Sequence, residues 1–182
     1  MAAAHRLDHA EEEADDFELT APRADELRRA LLAYFENAGQ PGNALALAEA
    51  HPAIIQPAFG ARLRKLAAAA HDFERGAKLL EKLAAQADSP ADYSLELARL
   101  EGDWAQSELA AGQPESALAH LRTAHVQHPE LFEIAWRLSA LQQERGDHQG
   151  SIETLESFLA VAKTPGEIEQ ARAQLTKLRS GG

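Results

Sequence analysis

The sequence predicts an all-α protein made of helices joined by short turns. Ala and Leu dominate its 182 residues, whereas Val and Ile, which favour strands, are scarce. The tetrapeptide Ala-Gly-Gln-Pro occurs twice, at 38–41 and 111–114, and a run rich in Ala and Leu follows each copy. Glycine commonly ends one helix and proline begins the next, so each copy is typical of a turn between two helices.

The first 19 residues form an acidic leader. They contain seven acidic residues and one arginine, so they carry a net charge of −6 out of −11 for the whole chain. We expect this leader, 1–19, to be disordered or a loosely docked helix. Residues 20–179 are predicted to form one helical repeat domain, and 180–182 a flexible tail.

The spacing of apolar residues within the domain predicts helices that are separated by turn signals. Their predicted ranges are 23–37, 41–50, 55–70, 73–87, 90–111, 114–127, 130–145, 148–162 and 165–179. An apolar stripe along the helix over 90–111 ends on Trp104, which we therefore expect in the core. The last helix is predicted to cover the final apolar face, and Thr164 and Glu167 are typical of a capping box at its start.

The turns recur along the chain. Gly39, His71, Gly112 and Gly146 occupy equivalent places, at intervals of 32, 41 and 34 residues. Gly112 and Gly146 are predicted to have left-handed backbone, which glycine adopts without strain. A helix–turn–helix period of about 34 residues is the length of a tetratricopeptide repeat.

On these turns and the packing positions around them, the chain resembles the tetratricopeptide repeat (TPR) superfamily. The unit 98–131 matches at Trp104, Ala105, Gly112, Ala117, Leu121, Ala124 and Pro129. The unit 132–165 matches at Leu138, Ser139, Gly146, Ser151, Leu155 and Phe158. Units 25–56 and 57–90 match less fully, and Arg64 falls where the family has a small residue. The resemblance implies an α-solenoid of antiparallel helix pairs, with about four repeats and a C-terminal capping helix.

The resemblance also implies a concave groove, lined by the first helix of each pair, in which a partner's peptide or helix lies. The side chains predicted to line this groove are Glu26, Arg29, Glu36, Lys65, Arg99, Gln106, Glu133, Trp136 and Gln143. Arg29 and Arg99 are expected to bind a partner's carboxylates. Trp136 either lies in the core or faces the groove, and in the groove it would be the main anchor.

No catalytic constellation is recognisable. The chain has no cysteine, no Gly-rich phosphate loop, no GxSxG and no HExxH. His120, His125 and His128 cluster near one helix end, but no acid has the spacing of a further metal ligand. We interpret them as cations favoured by the helix dipole, and we expect no enzymatic activity, no cofactor and no metal. His5 and His9 in the leader are interpreted likewise as non-ligands.

The expected function is a protein–protein interaction scaffold, as part of a bacterial-type assembly or regulatory complex. Two alternatives stay open: a non-catalytic accessory module of a larger enzyme or of a secretion or envelope protein, and a homo-oligomeric scaffold. The acidic charge argues against nucleic acid as a partner, and the lack of a long apolar run argues against membrane insertion. A cytoplasmic location is favoured, and a periplasmic one stays open.

Overall fold

The structure, a computed structural model, describes residues 21–54, 59–86 and 90–180. The leader and residues 55–58, 87–89 and 181–182 lie outside this part, so the predictions made for the leader are not addressed by it. The described residues form α-helices, a short 3-10 helix (Pro52–Ile54) and no strand, which confirms the all-α class. The helices are α1 (Ala21–Asn37), α2 (Pro41–Ala50), α3 (Gly60–Ala70), α4 (Phe73–Gln86), α5 (Pro90–Ala110), α6 (Pro114–Gln127), α7 (Phe132–Glu144), α8 (His148–Val161) and α9 (Pro165–Arg179).

The helix bounds follow the predicted ones closely, because glycine and proline mark most of the ends. The exception is α3, whose described part begins at Gly60 rather than at residue 55. The predicted capping box is also wrong, since the Thr164 side chain makes no cap hydrogen bond at α9. Pro165 already fixes the backbone of the first turn there. Asp147 is a side-chain cap that the sequence did not reveal: it accepts a hydrogen bond from the Gly150 amide at 2.9 Å.

Four turns share one backbone geometry. The φ angle is 67° at Gly39, 53° at His71, 73° at Gly112 and 78° at Gly146, and no other described residue has a positive φ. At each turn the next residue donates its amide to the carbonyl five residues back, at 2.8 to 3.0 Å. This hydrogen bond is typical of the Schellman motif that ends helices. The predicted left-handed backbone at Gly112 and Gly146 is therefore confirmed, and His71 adopts the same conformation without being glycine.

The helices pack in chain order. Each helix contacts the next one along the chain, from α1 to α9, and α3 also packs against α5. The apolar side chains form three clusters in the same order: the first joins α1 to α5, the second α5 to α7, and the third α7 to α9. The core therefore extends along the row of helices.

Small residues set the spacing within the helix pairs. A Cβ atom on Gly76 in α4 would lie only 2.3 Å from Cβ of Ala67 in α3. In the pair α7–α8, the buried hydroxyls of Ser139 and Ser151 are hydrogen bonded at 2.7 Å. α3 thus meets α4 through Ala67, whereas Arg64 forms hydrogen bonds with α5.

Trp104 is only partly buried, so its predicted place in the core is not fully correct. Its ring packs on the first apolar cluster and stacks on Phe73 of α4, with centroids 5.7 Å apart. The imidazole of His120 in α6 stacks on Trp104 at 4.1 Å. Because α5 lies between α4 and α6, the indole of Trp104 has the apolar ring of Phe73 on one neighbouring helix and the polar ring of His120 on the other.

Candidate partner-binding face

The odd-numbered helices are linked to one another by side-chain contacts. Glu36 in α1 accepts two hydrogen bonds from the guanidinium of Arg62 in α3, and this bonding raises the pKa of Arg62. Arg99 in α5 lies 3.6 Å from Glu133 in α7, measured from Nε to Oε1. With the packing of α3 on α5, these contacts place α1, α3, α5 and α7 side by side. We call the surface of this row the odd-helix face.

A charged network joins α3 to α5. Arg64 donates through Nε to Glu96 at 3.0 Å and through Nη1 to Asp103 at 2.5 Å. Glu96 also accepts a hydrogen bond from Arg99 at 2.9 Å. Burial alone would lower the pKa of Arg64, but the bonds and charges of the two carboxylates outweigh burial and raise it. The sequence signal for this network was the misfit of Arg64 at a small-residue position.

A close approach joins α5 to α7, and a hydrogen bond joins α7 to α9. A Cβ atom on Gly102 would lie 2.4 Å from Cδ1 of Ile134, so only glycine fits there without a shift. Arg137 donates to the Gly102 carbonyl at 3.4 Å. Gln174 of α9 donates to the side chain of Gln143 in α7 at 3.2 Å, so α9 extends the row.

The predicted groove residues fall into two groups on this row. Those exposed to solvent are Glu26, Arg29, Lys65, Gln106, Glu133 and Trp136. Those partly buried, each bonded to a neighbouring odd-numbered helix, are Glu36, Arg99 and Gln143. All of the predicted residues therefore lie on helices of this row.

The cations of the odd-helix face differ in whether they are already paired. Arg62, Arg64 and Arg99 each bind a carboxylate on a neighbouring odd-numbered helix. Arg29 and Lys65, in contrast, form no ion pair with any described residue. A partner's carboxylate would have to displace one of the protein's own to reach Arg99, whereas Arg29 and Lys65 can accept it directly.

Trp136 is the exposed aromatic side chain of α7. It is 38% exposed, so it does not lie in the core. Its indole packs on the ring of Phe132, with centroids 5.4 Å apart, and Phe132 packs on the buried Phe158 at the same distance. The indole is thus held through Phe132 against the third apolar cluster, while part of it stays exposed to solvent.

A concave feature lies between the even-numbered helices α6 and α8. It is an open cleft of about 390 Å³, across which Arg122 and Asp147 approach to 3.5 Å. Its lining residues are Arg122, His125, Gln142, Asp147, Gln149, Gly150, Glu153, Thr154 and Ser157. The lining is polar and mixed in charge, so this cleft offers no apolar anchor comparable to Trp136.

The three clustered histidines have different environments, and that of His125 contradicts its interpretation as a dipole-stabilised cation. His125 is 7% exposed with both ring nitrogens buried and unbonded, and burial lowers its pKa, so the neutral form is favoured. His120 bonds Glu101 through Nδ1, and its Nε2 lies 3.4 Å from Glu108. These acids come from α5, which spacing along α6 could not show.

Neither a metal centre nor a membrane span is found in the part of the chain that the structure describes. No cluster of three His, Asp or Glu side chains there is arranged to hold a metal ion. None of the helices described is long and apolar enough to cross a membrane. His5 and His9 lie outside these residues.

Comparisons of the chain with known family models, with curated proteins and with solved structures find no match.

Proposed function

We propose that the protein is a non-catalytic interaction scaffold of the TPR kind, and that its odd-helix face binds a peptide or helix of a partner protein. In this proposal α1–α2, α3–α4, α5–α6 and α7–α8 are four repeats of an α-solenoid, and α9 is its capping helix. The four turns support the proposal, because they share one hydrogen-bond pattern and recur at intervals of 32, 41 and 34 residues. Stacked helix pairs of this kind produce an extended concave surface.

The observation that carries the proposed binding site is the exposed indole of Trp136 on the row of odd-numbered helices. Its packing on Phe132 fixes the ring before a partner arrives, so little side-chain freedom is lost on binding. Aromatic side chains that become desolvated in an interface contribute a disproportionate share of the binding energy. We therefore assign Trp136 the role of anchor.

The charges of the face indicate the kind of partner. Arg29 and Lys65 are exposed and unpaired among the described residues, and they lie on α1 and α3. Trp136 lies on α7, further along the same row. A suitable partner segment therefore carries carboxylates towards α1 and α3 and an apolar side chain towards α7. Such a segment is mixed in character rather than uniformly acidic or basic.

A displayed library of random peptides tests this proposal, because it assumes nothing about the sequence of the partner. Peptides that bind the protein are titrated calorimetrically against the wild type, Trp136→Ala and Lys65→Glu. Loss of an aromatic anchor should weaken binding by about tenfold or more. Val126→Ala is the matched control, because Val126 is 80% exposed on the even-numbered helix α6. Peptides whose affinity depends on Val126 and not on Trp136 would contradict the proposed site.

A further inference from the structure

Two consecutive hydrogen bonds join α5 to the loop after α6. The hydroxyl of Ser94, in the second turn of α5, lies 2.7 Å from Nε2 of His128. The other ring nitrogen, Nδ1, lies 2.9 Å from a carboxylate oxygen of Glu130. A hydroxyl, an imidazole and a carboxylate in this order form the relay that activates serine nucleophiles in acyl transfer. The three side chains therefore make both contacts that such a relay requires.

The backbone around His128 holds its ring beside α5. His128 follows the last residue of α6, and its amide donates to the Ala124 carbonyl at 2.9 Å. Its own carbonyl accepts a hydrogen bond from the Leu131 amide at 3.2 Å. Pro129, the next residue, restricts the backbone further. Because the loop is fixed on both sides and the His128 side chain is only 14% exposed, the ring is held next to Ser94.

The charge of Glu130 defines which ring nitrogen of His128 carries a proton. The hydrogen bond from His128 is the main cause that lowers the pKa of Glu130, so this carboxylate is ionised near neutral pH. An ionised carboxylate only accepts hydrogen bonds, so Nδ1 of His128 is the donor. In the neutral imidazole Nε2 then has no proton, and it accepts the hydrogen bond from the Ser94 hydroxyl. Nε2 is thus the atom that can take the serine proton.

We infer that Ser94 is an activated nucleophile that accepts an acyl group from an activated ester, with His128 as its general base. Oγ of Ser94 bonds to the ester carbonyl carbon while its proton passes to Nε2 of His128. The bond from that carbon to the leaving oxygen then breaks, and the proton on Nε2 goes to the leaving alcohol. Glu130 touches no reacting atom and is a positioning residue, since it holds the ring through Nδ1. The acylated chain is the product, so this modification goes beyond the proposed binding function and does not depend on it.

The surroundings of Ser94 define the class of acyl donor. Ser94 is partly buried and Glu130 is exposed, so the relay lies at the surface, where a small acyl group can approach. The N-terminal, positive end of α5 lies about one turn from Ser94 and favours the negative charge that develops on the carbonyl oxygen. Esters with a good leaving group make the smallest demand on a site of this kind. Small aryl esters, rather than amides, are therefore the donors that fit.

Acetylation of the full-length chain by p-nitrophenyl acetate, located by mass spectrometry of its peptides, tests the inference. Ser116 is the matched control, because it is also partly buried and its hydroxyl donates directly to a carboxylate, that of Glu108, at 2.6 Å. Ser94 should be acetylated about 100-fold or more faster than Ser116, since a positioned general base contributes a factor of this size. An unmodified Ser94, or equal rates at the two serines, would overturn the inference.

Variants of the relay separate a chemical role from a structural one. His128→Gln should slow the acetylation of Ser94 about 100-fold. Glu130→Gln should slow it about tenfold or more, whereas Glu130→Asp, which keeps the carboxylate, should restore part of the rate. Urea denaturation checks that each variant is as stable as the wild type, and the acetylation of Ser116 should be unchanged. The inference fails if Ser94 reacts at the wild-type rate in His128→Gln, or if Glu130→Gln and Glu130→Asp have the same effect.

Discussion

Two glycines with equal space around them should respond oppositely to the same substitution. A Cβ atom added at Gly112 or at Gly42 meets no atom within 4 Å, so neither change to alanine creates a clash. They differ in backbone: Gly112 has a φ of 73°, whereas Gly42 lies in the first turn of α2 and has no positive φ. Any difference between Gly112→Ala and Gly42→Ala therefore reports the left-handed turn alone.

The expected magnitudes follow from the backbone. A left-handed backbone lowers stability by about 1–2 kcal/mol when the residue has a Cβ atom. Replacing glycine also restricts the unfolded chain, which raises stability by about 0.5–1 kcal/mol. Gly112→Ala should thus lower the free energy of unfolding by about 1 kcal/mol. Gly42→Ala introduces no left-handed residue, so only the restriction of the unfolded chain remains, and the free energy of unfolding should rise by about 0.5 kcal/mol. His71→Gly, at the turn with a φ of 53°, should also be stabilising, because it removes the strain.

Urea denaturation followed by circular dichroism measures these differences. A change of 1 kcal/mol corresponds to a shift of about 2–4 °C in the melting temperature of a chain of this size, which checks the urea values independently. The reasoning would be refuted if Gly112→Ala were as stable as Gly42→Ala, or if His71→Gly were destabilising.

Three further predictions concern buried charge and packing. Because burial lowers the pKa of His125, its contribution to the free energy of unfolding is present above the ordinary pKa of about 6.5 and is lost as the pH falls below that value. His125→Leu should therefore reduce the loss of stability between pH 7 and pH 5, measured by urea denaturation. Arg64→Met should lower the free energy of unfolding by about 1–2 kcal/mol, because the buried carboxylate of Glu96 loses one of its partners. Arg62→Met removes a more exposed ion pair and should lower it by less than about 1 kcal/mol in the same assay. Gly76→Ala should lower the melting temperature although alanine has the higher helix propensity, because the new Cβ atom would lie 2.3 Å from the Cβ atom of Ala67. Overpacking of this kind costs about 1–3 kcal/mol. An unchanged melting temperature would show that α3 and α4 can separate freely.

The helices and turns were predictable because their signals are local. Each of Gly39, Gly112 and Gly146 lies two residues before the start of a helix, so the local sequence alone marks the boundary. The turn at His71 lacks glycine, and it was predicted because a helix segment like those after the other turns follows it. The helix class and most helix bounds therefore follow from the chain itself.

Contacts between distant helices were not predictable in the same way. The pairing of Arg64 with Glu96 and Asp103 depends on how α3 lies against α5, which a period of apolar residues does not define. The same holds for His125, because its burial is set by neighbouring helices rather than by its place near the end of α6. Spacing also assigned the predicted groove residues to one row of helices, but it could not show that Arg99 is already paired with Glu96 and Glu133.

The central claim is that a partner binds along the odd-helix face. Hydrogen–deuterium exchange of the protein with and without a library-selected peptide locates the bound surface directly. Our account predicts slower exchange in α3, α5 and α7 when the peptide is bound, with the strongest effect around Trp136 and little change in α6 and α8. Slower exchange confined to α6 and α8, around the cleft at Arg122 and Glu153, would contradict it.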